Sequence, residues 1–93
     1  MSAAFIYVAV MTYEYTDSSY GQVVLTIAKS KKRAVDAIIK DRNSPIMSGT
    51  QMFAVVVKTE MDAEYEDGLI NEHPVYEVKY TSEGTIVERD EDE

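Results

Sequence analysis

The sequence predicts a small α+β protein, with one helix on one face of a mostly antiparallel sheet of four to five strands. Apolar, β-branched runs at two-residue alternation indicate strands, and one stretch with three- and four-residue spacing indicates the helix. Turn-forming segments between consecutive runs indicate hairpins. A chain of 93 residues has the usual size of one domain with a single hydrophobic core. We therefore predict the order β-β-α-β-β-β, with one domain over residues 1–88 and a mobile acidic tail over residues 89–93.

The first two strands form a predicted hairpin. Residues 3–15 are apolar or aromatic at nearly every position, and apolar character on both faces is typical of a central strand. Residues 16–21 are rich in turn formers, and residues 23–27 are apolar and mostly β-branched. This pattern predicts that the second strand folds back beside the first.

One helix follows the hairpin. Ser30 is a favourable N-cap, and apolar residues then recur at positions 34, 35, 38 and 39, which a helix gathers on one side. The segment Asn43-Ser44-Pro45 supplies turn formers and a proline, so we expect the helix to end near Arg42.

Three further strands are predicted after the helix. Residues 51–57 form an apolar run, and residues 60–73 lack a sustained period and carry many carboxylates, which predicts a long acidic loop. Residues 75–80 alternate, and the connection Ser82-Glu83-Gly84 places glycine where a left-handed residue is needed. We expect residues 85–88 to pair back as the last strand.

The sequence offers no recognisable catalytic apparatus. It has no cysteine, which excludes disulfides and thiol chemistry, and its single histidine, His73, has no evident catalytic partners. The carboxylates before Gly68 do not match a calcium loop. We expect a non-enzymatic protein without metal or cofactor. The apolar N-terminal run lacks a signal-peptide pattern, so we expect the cytoplasm, or the host-cell cytoplasm if the chain is phage-encoded.

Charge is distributed unevenly along the chain. The net charge is −8; residues 1–58 carry seven basic and four acidic residues, whereas residues 59–93 carry two basic and thirteen acidic residues. An acidic surface attracts basic protein surfaces and repels nucleic acids and anionic membranes. An extended acidic tail would space its charges at roughly 4 Å, close to the phosphate spacing of about 3.4 Å in one DNA strand. The candidate partner-binding carboxylates are Asp62, Glu64, Glu66, Asp67, Asp90, Glu91 and Asp92.

Two other groups of side chains are candidates for binding. Tyrosine suits interfaces because it buries a ring and keeps a polar tip, and we expect interface tyrosines on the sheet face opposite the helix, among Tyr13, Tyr15, Tyr76 and Tyr80. Cross-strand pairing within the sheet explains the tyrosines equally well. Basic residues also surround the start of the helix, where the exposed backbone N–H groups favour an anion. The alternative anion site consists of Ser30, Lys31, Lys32 and Arg33. A phosphate-bearing ligand, the acidic tail or plain solvent could occupy it.

The short acidic chain, the Tyr13-Glu14-Tyr15 strand end and the acidic C-terminus together resemble the small acidic accessory proteins of bacteriophages. This resemblance implies an inhibitor or modulator, for example an anti-defence or anti-CRISPR protein, that docks on a basic nucleic-acid-binding site of a host nuclease, CRISPR effector or RNA polymerase. Some proteins of that group imitate DNA. The alternatives are a dimeric sensor or sequestering protein for a phosphate-bearing ligand, and a structural subunit whose open sheet face pairs with another chain.

Overall fold

The protein was analysed as a computed structural model, which describes residues 5–44, 49–60 and 74–91. The elements are β1 (Phe5–Glu14), β2 (Tyr20–Ala28), α1 (Lys31–Asn43), β3 (Thr50–Glu60), β4 (Pro74–Thr81) and β5 (Gly84–Asp90). The strands form one antiparallel sheet in the order β2-β1-β3-β4-β5. The predicted α+β class and element order are confirmed.

β1 lies inside the sheet because both of its faces are apolar. It pairs with β2 on one side and β3 on the other, so that Ala9 lies opposite both Thr26 and Val56. Val8 and Met11, which point to opposite faces, are both buried. A strand covered on both faces cannot lie at an exposed edge without a large loss of apolar burial.

α1 begins and ends where the sequence predicts. The Ser30 hydroxyl accepts a hydrogen bond of 3.3 Å from the backbone N–H of Arg33, as expected of an N-cap. Ala34 and Ile38 are buried against β1, β2 and β3. Within the ranges given above, no helix has the length and apolar character needed to cross a membrane.

The two faces of the sheet differ in composition. The helix side holds the larger core, and its sheet members are Tyr7, Ala9, Met11, Tyr13, Ala54, Val56, Val75, Tyr76, Val78 and Tyr80. The face opposite α1, called the far face below, carries valines such as Val10 and Val55 on the two central strands. Strand alternation makes this division, since successive side chains point to opposite faces.

β5 extends past residue 88 into the segment 89–93, which was predicted to be a mobile tail. Arg89 and Asp90 belong to β5, and the backbone N–H of Glu91 donates a hydrogen bond of 2.9 Å to the carbonyl of Val75. These residues are therefore part of the sheet region and not of a mobile tail. Asp92 and Glu93 lie outside the described residues.

Candidate protein-binding surface

The tyrosines expected on the face opposite the helix lie on the helix side instead. Tyr13, Tyr76 and Tyr80 are buried, and Tyr15 is half-buried against the same core. The expectation that these rings form an exposed face is wrong because the odd-numbered positions of β1 and the even-numbered positions of β4 point towards α1. The far face holds valines in their place.

The buried hydroxyl of Tyr13 meets polar partners from α1 and β3. The Tyr13 hydroxyl donates a hydrogen bond of 2.5 Å to Oδ2 of Asp41, near the end of α1. The side-chain amide of Gln51 donates to the same oxygen at 3.0 Å and to the Asp41 carbonyl at 2.8 Å. Burial, followed by the hydrogen bond to Asp41, raises the pKa of Tyr13 far above its ordinary value. This polar network anchors the end of α1 to β1 and β3.

Arg42 continues the network towards β4. Its guanidinium donates a hydrogen bond of 3.0 Å to Oε1 of Gln51 and lies 4.5 Å from the centre of the Tyr80 ring, a cation–π contact. Burial raises the pKa of both Tyr80 and Tyr76. Sequence reasoning missed this network, although Asp41 gave a signal: it follows Ile38 by three residues and Ala34 by seven, which places a carboxylate on the apolar side of the helix.

Tyr15 has a packing role beside β2. Its ring is stacked at 6.4 Å from the ring of Tyr13 and covers Gly21 so closely that a Cβ there would lie 2.6 Å from the Tyr15 ring. An aromatic ring over a strand glycine replaces the side-chain contacts that glycine lacks. The Tyr15 ring therefore contributes to the packing between β1 and β2.

The alternative anion site is largely engaged by the protein itself. Ser30 caps α1, Lys32 pairs with Asp36 at 3.1 Å, and the Lys31 ammonium donates to the carboxylate of Asp90 and to the carbonyl of Glu91. Arg33 is exposed. An anionic ligand that used Lys31 would have to displace the Asp90 carboxylate. Of the occupants left open by the sequence, the structure shows acidic residues of the C-terminal segment at Lys31.

The predicted carboxylates fall into two groups. Asp90 and Glu91 lie at the end of β5 beside Lys31. The others lie outside the described residues, namely Asp62, Glu64, Glu66, Asp67 and Asp92.

The described surface is nonetheless polarised. Residues 29–43 carry six basic and two acidic side chains, whereas residues 74–91 carry two basic and five acidic ones. The first set belongs to α1 and its approach, and the second to the β4–β5 hairpin. α1 packs on β2, β1 and β3. The acidic β4–β5 hairpin lies at the edge of the sheet opposite to β2.

β5 is the outermost element of this acidic side. Within the described ranges it pairs with β4 alone, and its residues 84–88 are all exposed. Ile86 and Val87 are exposed to 52% and 54%, and Glu83 and Glu88 flank them along the chain. The acidic edge is defined here as the outer side of β5 with the residues Glu83, Thr85, Ile86, Val87 and Glu88.

A depression of about 610 Å³ lies on the far face, near the β1–β2 turn. Its lining residues are Thr12, Tyr20, Gly21, Gln22 and Phe53. No carboxylate, histidine or lysine is among them, and the described part of the chain holds no cluster of three or more metal-ligating side chains. The depression therefore offers no paired acid and base of the kind that general acid–base catalysis requires.

The acidic edge is thus the described surface that combines exposed apolar side chains, excess negative charge and an edge strand. Its chemistry suits a protein partner, because apolar contacts supply area and the flanking carboxylates select a basic surface. No protein-family model, curated protein or solved structure matches the chain.

Proposed function

We propose that this protein is a non-enzymatic binding protein that docks its acidic edge on the basic, nucleic-acid-binding surface of another protein and so inhibits or modulates it. The observation that carries the proposal is the arrangement at β5, an edge strand on which exposed Ile86 and Val87 lie between Glu83, in the preceding turn, and Glu88. Protein interfaces commonly combine an apolar centre with a polar rim.

The geometry of β5 favours a partner that covers the edge from both sides. Ile86 lies opposite Lys79 and points to the far face, whereas Val87 lies opposite Val78 and points to the helix side. A strand or loop of the partner that pairs with β5 would contact both side chains and use the free backbone groups. Apolar contacts on both faces would then fix the register of the pairing.

Charge supports a basic partner. The last 35 residues carry thirteen acidic and two basic residues, and a surface of this sign accelerates association with lysine- and arginine-rich surfaces. Surfaces that bind a nucleic-acid backbone are built from lysine and arginine. The resemblance to phage accessory proteins favours a host nuclease, CRISPR effector or RNA polymerase as the partner.

A capture experiment tests the proposal. The wild-type chain is immobilised and exposed to bacterial lysate at low and moderate salt, and the captured proteins are eluted with duplex DNA. The test variant is Glu83→Gln/Glu88→Gln, and the matched control is Glu14→Gln/Asp36→Asn, which removes two negative charges elsewhere. A third variant, Ile86→Ser, tests the apolar contact.

We expect the wild-type chain to capture a nucleic-acid-binding protein, which duplex DNA or added salt then releases. The control variant should still capture this protein, and the test variant should not. Equal loss with the test and control variants would show that net charge alone governs capture, which overturns docking at the acidic edge. Capture that DNA does not displace would overturn the choice of surface on the partner.

A further inference from the structure

β2 is an edge strand with little of the usual protection against pairing. It lies at one end of the sheet, and among the described residues it pairs with β1 alone. Its nine residues contain no charged side chain and no proline. Natural edge strands are commonly protected by charges, prolines, bulges or short length, because free backbone groups invite another strand. The one irregularity is the extra residue Leu25, which shifts the register against β1.

The opposite edge, β5, is protected against pairing with a second copy of itself. Like β2, it has a register shift against its neighbour, but it also contains the charged residues Glu88, Arg89 and Asp90. Two acidic edges of this kind repel each other, so self-pairing through β5 is disfavoured. The contrast leaves β2 as the uncharged edge of the sheet, available to a second copy of the chain.

Three of the four exposed side chains of β2 are apolar or aromatic, and the fourth is Gln22. Tyr20, Val24 and Ile27 are exposed to 63%, 50% and 62%. Val24 and Ile27 lie opposite Val10 and Val8, so both point to the far face. Pairing along β2 would place these side chains against those of a neighbouring strand and remove apolar surface from water.

The ends of β2 carry opposite charges. Asp17 lies in the turn before β2, and Lys29 follows β2 directly; both are exposed. Hydrogen bonds from the Ser19 hydroxyl and backbone N–H hold the pKa of Asp17 below its ordinary value, so the carboxylate stays ionised. In an antiparallel pair of β2 strands, the start of each strand lies beside the end of the other. Each Asp17 would therefore lie near Lys29 of the second copy.

We propose that β2 pairs antiparallel with β2 of a second copy, about a two-fold axis near Val24, to give a dimer with one continuous ten-stranded sheet. An isologous contact of this type needs a self-complementary surface. The uncharged strand with an acidic turn at one end and a lysine at the other meets that requirement.

The dimer would present two acidic edges. Ten strands about 4.8 Å apart place the two β5 strands roughly 43 Å from each other, on opposite ends of the sheet. Two linked binding sites increase the apparent affinity for a partner that offers two matching surfaces. Dimerisation through β2 does not depend on the identity of that partner, and its test needs no partner.

Sedimentation equilibrium from low to high micromolar concentration measures the dimer directly. Val24→Lys and Ile27→Lys introduce a charge at the centre and end of the pairing edge, and each is expected to weaken the dimer at least about tenfold. Ile86→Lys is the matched control on the other edge. Phe53→Lys, on the far face but inside the sheet, distinguishes edge pairing from stacking of two far faces. Circular dichroism verifies that each variant is folded.

The charge pair at the strand ends gives a second, independent readout. Asp17→Lys and Lys29→Asp are each expected to weaken the dimer by about tenfold, because two symmetric attractions become repulsions. The double variant restores both attractions and should recover the dimer. A wild-type chain that stays monomeric, a dimer that Val24→Lys leaves unchanged, a dimer that Phe53→Lys dissociates, or a double variant without recovery would each overturn the proposal.

Discussion

The ammonium of Lys31 and the carboxylate of Asp90 join the first residue of α1 to the last residue of β5. The two residues are 59 positions apart in the sequence. The start of a helix attracts negative charge, and α1 has no acidic residue in its first turn. Asp90 supplies the missing anion from the far end of the chain, which explains how the basic helix start is accommodated.

The Lys31–Asp90 contact should contribute modestly to stability. Lys31 is 16% exposed, but Asp90 is 57% exposed and remains screened by water. A double-mutant cycle with Lys31→Met and Asp90→Asn, followed by urea unfolding, should give a coupling free energy of about 0.5 kcal/mol. Additive single-variant effects would contradict an energetic link between the two elements.

The hydrogen bond from Tyr13 to Asp41 should contribute more, because both groups are buried. Tyr13→Phe leaves the Asp41 carboxylate with one donor fewer, and we expect the free energy of unfolding to fall by about 1 to 2 kcal/mol. Tyr20→Phe is the matched control, since the Tyr20 hydroxyl donates to the exposed Glu14 carboxylate at 2.9 Å. Urea unfolding should show a much smaller change for the control, and equal losses would contradict the role assigned to burial.

The buried tyrosines should make the fold sensitive to alkali. Burial raises the pKa of Tyr13, Tyr76 and Tyr80, so the unfolded chain releases these protons at lower pH than the folded chain does. Their contribution is therefore fully present below the ordinary tyrosine pKa of about 10 and is lost as pH rises above it.

For each tyrosine that stays neutral in the folded state, the free energy of unfolding falls by up to about 1.4 kcal/mol for each unit by which the pH rises above about 10. Thermal unfolding followed from about pH 9 to about pH 12 spans the ordinary tyrosine pKa of about 10 and measures this slope. The slope should decrease in Tyr80→Phe. A slope that is the same in wild type and variant would argue against a raised pKa at Tyr80.

Gly21 should tolerate no side chain while Tyr15 is present. A Cβ at Gly21 would lie 2.6 Å from Cε2 and 2.7 Å from the hydroxyl of Tyr15, so Gly21→Ala must displace the ring. We expect a loss of about 1 to 3 kcal/mol in the free energy of unfolding. The same substitution in a Tyr15→Ala background should cost clearly less, and an equal cost in both backgrounds would rule out the ring as the cause.

Local sequence patterns predicted the fold but not the orientation of its faces. Two-residue alternation shows that Tyr13 and Val10 lie on opposite sides of β1, yet it does not show which side α1 will cover. The choice depends on long-range packing, in which the larger rings and the Asp41 carboxylate meet across the core. The tyrosines were therefore assigned to the wrong face, although their strands were predicted correctly.

Charge patterning located the acidic half of the chain but not the role of each carboxylate. Asp90 was expected in a mobile tail, whereas it ends β5 and binds Lys31. That contact depends on β5 returning to the same end of the sheet as the start of α1, which no local pattern specifies. The possibility that the helix start meets the acidic tail was recognised from the mismatch between basic residues and the helix dipole.

The most direct test of the proposed function is a displacement measurement with a captured partner and fluorescently labelled duplex DNA. The wild-type protein should release the DNA from the partner as its concentration rises, and Glu83→Gln/Glu88→Gln should do so only at much higher concentration. Glu14→Gln/Asp36→Asn should match the wild type. Displacement that is equally strong for both double variants, or a ternary complex in which DNA stays bound, would contradict docking of the acidic edge on a nucleic-acid-binding surface.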